Sequence, residues 1–188
     1  SGADAANALT RVVDDDFIKL MNNKAKELGM DNTHFSNSIG LDDKNNYSTV
    51  NDVYKMFNYA LKNEQFRKII TSSKYTISDG SLTIKSTVKN NKLVGSYLLG
   101  GKTGTTDGAG LCLASLATFD NSEFILITTG APYDKKGKHN LEDAKVIYEY
   151  FKDNYDYQNV VDKKDVILSL DTKYLKEDKI DFYATKDI

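Results

Sequence analysis

At Lys74 the hydrophobic period of the chain changes, and that change constrains the fold more than any single motif. Upstream, apolar residues recur every three to four positions. Ala5, Ala8, Leu9, Val12 and Val13 fit a helix over about 4–13, and Phe17, Leu20, Met21, Ala25 and Leu28 fit a second within "DFIKLMNNKAKELGM". Asp14 to Asp16 read as the N-cap and acidic first turn of that second helix, and Gly29 as its C′ residue. After a turn-rich loop, Ser48 or Thr49 caps a third helix, "VNDVYKMFNYALKN", with Val53, Met56, Phe57, Ala60 and Leu61 on one face; "EQFRKIITS" makes a short fourth. From Lys74 onward the pattern alternates. "KYTIS", "SLTIKSTV", "SYLLGGKTG", "GLCLASLATF" and "EFILITTGA" read as strands, with Asp120-Asn121 at a hairpin turn before Ser122. "LEDAKVIYEYFKDNY" then returns to helical period, with Leu141, Ala144, Ile147, Tyr148 and Phe151 on one face. This order predicts an α/β (α+β) fold: an antiparallel sheet of about five strands with helices packed on it.

Charge and cysteine usage exclude several functions. Net charge is −2 over 188 residues, with no basic stripe for nucleic acid and no basic amphipathic segment for a membrane surface. The one cysteine, Cys112, forbids an internal disulfide. With His34 and His139 as the only histidines, it also excludes a Cys₄ or Cys₂His₂ zinc site; no metal or cofactor is expected. Neither Asp14–Asp16 nor Asp42-Asp43 has calcium-loop spacing. Cys112, between Leu111 and Leu113, reads as a buried structural thiol. After Tyr155 the texture becomes lysine-rich and strand-like. We therefore divide the chain into a domain over 1–155 and the start of a small β domain over 156–188. The helical period is already running at Ser1, so the reading expects the first domain to be incomplete at its N-terminus.

The stretch "LLGGKTGTTDGAG" (Leu98 to Gly110) carries the chemistry. A phosphate-binding loop is excluded, because Lys102 follows only a glycine pair and a strand rather than a helix comes next. A strand-turn-strand without function remains one reading. In the other, Lys102 supplies a cation near a nucleophile, Thr103 a hydroxyl for a substrate carboxylate, and Gly104 room for a substrate backbone. A backbone N–H just beyond then faces a developing oxyanion.

Those residues, in their context, resemble the D-alanyl-D-alanine carboxypeptidases, the low-molecular-weight penicillin-binding proteins. "SGADAANAL" resembles the family's S-x-N helix start. "MNNKAKELGMDNTHFSNSIGLDDKNNYST" is similar to the segment that follows, "GGKTGTTDGAGLCLASLAT" to the K-T-G strand and its hairpin, and "TTGAP" to the strand before the last helix. The resemblance covers about 1–155 in order, and the tail looks like the opening of the family's C-terminal β domain. It implies catalytic roles for Ser1 and Lys102, substrate binding by Thr103, Gly104 and Thr105, and an oxyanion donor in the Thr105 N–H. It also implies a peptidoglycan stem peptide as substrate, β-lactams as ligands, and a location outside the cytoplasmic membrane, associated with the cell envelope. Lys138 and His139 lie near the family's basic residue for the terminal carboxylate, although a solvated loop is the plainer reading.

Two departures matter. The S-x-x-K string Ser86-Thr87-Val88-Lys89 follows the S-x-N region and sits in strand pattern, not at a helix start, so it is read as a decoy. The nucleophile segment is therefore expected outside this chain, in cis or on another polypeptide, leaving this chain alone inactive. Ala3 stands where the family has asparagine, and alanine cannot bond substrate or the base lysine. A non-catalytic peptidoglycan-binding scaffold and a β-lactamase-like hydrolase stay open as alternatives.

Overall fold

A computed structural model describes residues 2–13, 16–89, 91–135, 137–156, 158, 160–174 and 177–186. The chain divides into two compact units, Ser1–Asp153 and Asn154–Ile188. The first opens with helices α1 (Ala3–Val13), α2 (Phe17–Glu27), α3 (Val50–Ala60) and α4 (Glu64–Thr71). A two-stranded ribbon, β1 (Lys74–Thr76) with β2 (Thr83–Lys85), follows. Strands β3 (Leu98–Thr106), β4 (Gly110–Phe119) and β5 (Ser122–Ala131) then form an antiparallel sheet in the order β3-β4-β5, and α5 (His139–Asn154) closes the unit. The main sheet thus has three strands among the described residues rather than about five, because "KYTIS" and "SLTIK" pair with each other.

Local chemistry sets the boundaries. The Thr49 hydroxyl caps α3 by accepting from Asp52 N at 3.2 Å. Asp16 is the N-cap of α2, accepting through its carbonyl from Lys19 and Leu20; Asp14 and Asp15, predicted to share that role, lie outside the described residues. Gly29 takes φ 67° just past α2, and Asp120 and Asn121 take φ 50° and 56° in the β4–β5 turn, as a two-residue hairpin of this type requires.

Cross-strand register sorts side chains onto two faces. Leu113 and Ala117 of β4 meet Leu141, Ala144 and Tyr148 of α5, with Val88, Val94 and Leu98 alongside. On the other face Leu116 packs with Phe57 of α3 and Leu61, bordered by Phe66, Ile70, Ile125 and Ile127. The α5 stripe buries Leu141, Ala144 and Tyr148, whereas Phe151 stays exposed. Between sheet and α5 the Tyr148 hydroxyl bonds Ser115 Oγ at 2.9 Å and the Ser115 carbonyl at 3.2 Å; burial pushes its pKa up to about 12.

The α1 stripe is not buried. Leu9, Val12 and Val13 are 67%, 85% and 65% exposed, although the helix forms where its period predicts. In the second unit, β6 (Val166–Asp171) and β7 (Lys179–Tyr183) make an antiparallel hairpin. Leu168 is opposite Phe182 and Leu170 opposite Ile180, and all four are exposed.

The glycine pair of "LLGGKTG" is explained by packing. A Cβ on Gly100 would come within 2.1 Å of the Ile70 carbonyl of α4, and one on Gly101 within 2.3 Å of the Ala114 carbonyl of β4. At Gly104 the nearest atom would be the Cys112 Cβ at 3.7 Å, an ordinary contact. Gly100→Ala is therefore expected to destabilise the chain by about 1–3 kcal/mol, while Gly104→Ala shifts the urea midpoint little. Tyr148→Phe removes a buried hydroxyl from Ser115, and the same titration should read a loss of about 1–2 kcal/mol.

Candidate active site

The candidate site is built around β3, a strand with one neighbour. Among the described residues no strand pairs with its outer edge, the arrangement in which an extended ligand can add to a sheet. Register puts Lys102, Gly104 and Thr106 on the face toward α3 and α4, and Thr103 and Thr105 on the face toward α5. The predicted residues are therefore brought to one strand edge but split between its two sides.

On the first side lies a cleft of about 820 Å³. Phe17, Leu20, Met21 and Ala25 of α2 and its C-cap Leu28 line it, with Met30, Phe35, Met56 and parts of the loop, Asn37, Ser38, Gly40 and Asn46 to Ser48. The predicted α2 stripe thus forms a cleft wall, and Ala25 alone of its members is fully buried. Lys102 reaches this cleft from the sheet. Its ammonium donates to the Thr103 carbonyl, no ion pair holds it among the described residues, and burial pushes its pKa below the ordinary lysine value.

On the second side, Thr103 Oγ1 lies 3.1 Å from Thr87 Oγ1, a partner the sequence reading did not single out. Ser86 and Lys89 flank Thr87 in structural roles. The Ser86 hydroxyl accepts from the backbone N–H groups of Val88 and Lys89 at 3.2 and 3.0 Å, and Lys89 Nζ donates to the Leu98 carbonyl at 3.1 Å. The string lies in a turn just after β2 rather than within a strand, and no helix starts there. Ser1 lies outside the described residues. Cys112, predicted buried, is half-buried and shares the Lys102 face opposite Gly104. His139 opens α5 with its ring nitrogens 2.9 Å from both Asp134 and Glu142; these bonds hold its pKa above the usual imidazole value, and the pair was not visible in sequence. Among the described residues there is no His/Cys/Asp/Glu group that could hold a metal ion.

A wall for this site comes from the 31–48 loop. His34 and Tyr47 exchange backbone hydrogen bonds of 2.9 and 3.0 Å across its base. Buried Asp52 accepts from Asn32 N and Thr33 Oγ1, both at 2.9 Å. Burial works against the Asp52 charge, but bonds from Thr33, Asn32 and Lys55 outweigh it and hold its carboxyl below the usual range.

The sequence pattern of the D-alanyl-D-alanine carboxypeptidase family matches residues 1–133. The chain is 28% identical over 193 residues to the D-alanyl-D-alanine carboxypeptidase DacF of Bacillus subtilis (strain 168), covering 100% of this chain and 49% of that protein. It is 38% identical over 109 residues to the D-alanyl-D-alanine carboxypeptidase of Streptomyces sp. (strain K15), covering 54% of this chain and 38% of that one. In structure it is similar to the D-alanyl-D-alanine carboxypeptidase from Mycobacterium tuberculosis H37Rv, with TM-score 0.66, 25% identity and coverage of 78% and 58% of the two chains. It is also similar to penicillin-binding protein D2 from Listeria monocytogenes in the cefotaxime-bound form, with TM-score 0.65, 31% identity and coverage of 78% and 60%. The chain spans about half or less of the length of these two curated relatives.

Because a depressed pKa leaves more free amine, Lys102, itself solvent-accessible, should be acylated by an amine-directed reagent at pH 9 faster than other exposed lysines such as Lys179. Peptide mapping after brief labelling checks this, with a several-fold higher initial rate at Lys102 as the expected outcome.

Proposed function

The chain belongs to the D-alanyl-D-alanine carboxypeptidase family, and from that premise we propose that the whole protein is a serine-type D-Ala-D-Ala carboxypeptidase. It would remove the terminal D-alanine from peptidoglycan stem peptides. A serine Oγ attacks the penultimate D-alanine carbonyl, the C–N bond breaks as the amine of the terminal D-alanine takes a proton, and water then hydrolyses the acyl-serine. β-Lactams would acylate the same serine. The observation that carries this reading is the open β3 edge with Lys102 set in an apolar cleft beside it.

In this mechanism Lys102 supplies the cation that attracts the substrate carboxylate and assists proton transfer at the serine. The Thr103 hydroxyl, braced by Thr87, approaches that carboxylate from the other side of the strand edge. The Thr105 N–H stabilises the oxyanion, and Gly104 keeps the edge free of a side chain. Ser1 would relay a proton. In this reading the nucleophile and its lysine base come from outside these residues, and the engagement of Ser86 and Lys89 in holding a turn supports it. Residues 1–155 are part of the catalytic domain and 156–188 begin a C-terminal β domain. The work of the family lies at the cell envelope, and the proposed substrate would put this protein outside the cytoplasmic membrane. No described helix is long and apolar enough to cross a membrane.

Ala3 in place of the family's asparagine favours a second reading, a non-catalytic peptidoglycan-binding homologue. A fluorescent penicillin separates the two. The whole protein should be labelled and the 188-residue chain by itself should not, while Lys102→Ala in the whole protein should slow acylation by about 10²-fold or more. An unlabelled whole protein supports the scaffold, and rapid release of the label supports a β-lactamase-like hydrolase. A covalent label on Ser86 would sink the proposal that the nucleophile lies elsewhere.

A further inference from the structure

We propose that Asp42 is a positioning residue: a strut from the tip of the 31–48 loop that fixes the β3–β4 turn, and with it the end of the K-T-G strand, against the cleft wall. The catalytic consequence rests on the function proposed above; the strut itself does not. Asp42 Oδ2 accepts from the Gly108 backbone N–H at 2.9 Å, across 66 residues of sequence. The Thr106 hydroxyl also donates to this carboxylate, and its oxygen in turn accepts from Ala109 N at 3.0 Å. One side chain thus holds the Gly108 N–H directly and the Ala109 N–H through the Thr106 hydroxyl. Contact is close: a Cβ on Gly108 would sit 3.1 Å from Asp42 Oδ1. Bonds from Thr106 and Gly108 hold the Asp42 carboxyl below the usual range, in keeping with an ionised acceptor.

A strut transmits position only if its foot is rigid, and this one is braced. Asn37 Oδ1 accepts from Gly40 N at 2.8 Å and Leu41 N at 3.0 Å, and Asn37 Nδ2 donates to the Leu41 carbonyl at 3.0 Å. Asn46 Nδ2 donates to the same carbonyl at 3.1 Å. The residue before Asp42 is therefore held from two directions. Asn37, Gly40 and Asn46 also line the cleft that Lys102 enters. Thr106 shares the Lys102 face of β3, and Thr105 directly precedes it. Releasing Asp42 would let the strand end, including the Thr105 N–H, move relative to both Lys102 and the wall.

Two readouts test this. Amide hydrogen exchange in the 188-residue chain needs no activity. Asp42→Ala should speed exchange at Thr106, Gly108 and Ala109 about tenfold, with Leu113 and Leu116 unchanged, and Asp42→Asn, which keeps an acceptor oxygen, should restore most of the protection. In the whole protein, Asp42→Ala should slow penicillin acylation about tenfold at saturating penicillin while leaving the half-saturating concentration within twofold, with Asp42→Asn again intermediate. Unchanged exchange in the hairpin overturns the strut. Faster exchange with unaltered acylation overturns its positioning role. If the wild-type whole protein is never acylated, the proposed function fails instead, and the exchange result alone decides the strut.

Discussion

Pairing of β4 on both edges, with apolar cover on both faces, is the constraint on which the first unit depends. A strand so placed must alternate two sets of buried side chains, and "GLCLASLATF" does: Leu113 and Ala117 face α5, while Leu116 faces α3. Ser115 is the exception. A buried hydroxyl needs partners, and Tyr148 and the Leu126 carbonyl supply them, which ties α5 to one register of the sheet. β3 inherits its position from this arrangement. Gly100 and Gly101 let it lie against α4 and β4 at distances that no side chain would allow, so Lys102 emerges at a fixed point on the edge.

Much of this was legible in the sequence because it is encoded locally. Thr49 is a short-range cap, Asp120-Asn121 is a turn that needs positive φ, and the period change at Lys74 marks where helices give way to strands. What could not be read depends on contacts distant in sequence. "LLGGKTG" carries glycines for two reasons, and only the contacts of Gly100 with Ile70 and of Gly101 with Ala114 separate packing glycines from the open Gly104. Alternation does predict that Lys102 and Thr103 point to opposite faces, but not that Thr87 waits on one side and an apolar cleft on the other. Nothing in the spacing of Asp42-Asp43 points to a role for Asp42, because its partner lies 66 residues away in the β3–β4 turn.

Apolar pattern and burial part company at α1 and in the β6–β7 hairpin. Both form where their periods predict, and both leave their apolar stripes exposed to solvent. Secondary structure follows from period alone, whereas burial needs a surface to pack on. The α2 stripe is intermediate: it lines the cleft instead of closing a core, which keeps an apolar wall facing Lys102.

That wall sets the electrostatics of Lys102. Although Lys102 keeps contact with solvent, partial desolvation disfavours its charged form, so the folded chain binds this proton somewhat less tightly than the unfolded chain does. The resulting penalty on the fold persists below the depressed pKa and is relieved as pH rises through it toward the ordinary lysine value. An anion lying on the β3 edge would act in the opposite direction by stabilising the ammonium. Binding and proton uptake are then linked: the affinity for such an anion is fully developed below the depressed pKa and fades as pH rises past it. The arrangement works only if no resident carboxylate neutralises Lys102 first. Asp42, the acid at the tip of the loop that walls the cleft, has its hydrogen bonds committed to Thr106 and Gly108. Among the described residues no carboxylate is ion-paired with Lys102, so in the proposed carboxypeptidase its cation is left for the substrate, while Asp42 braces the end of the K-T-G strand.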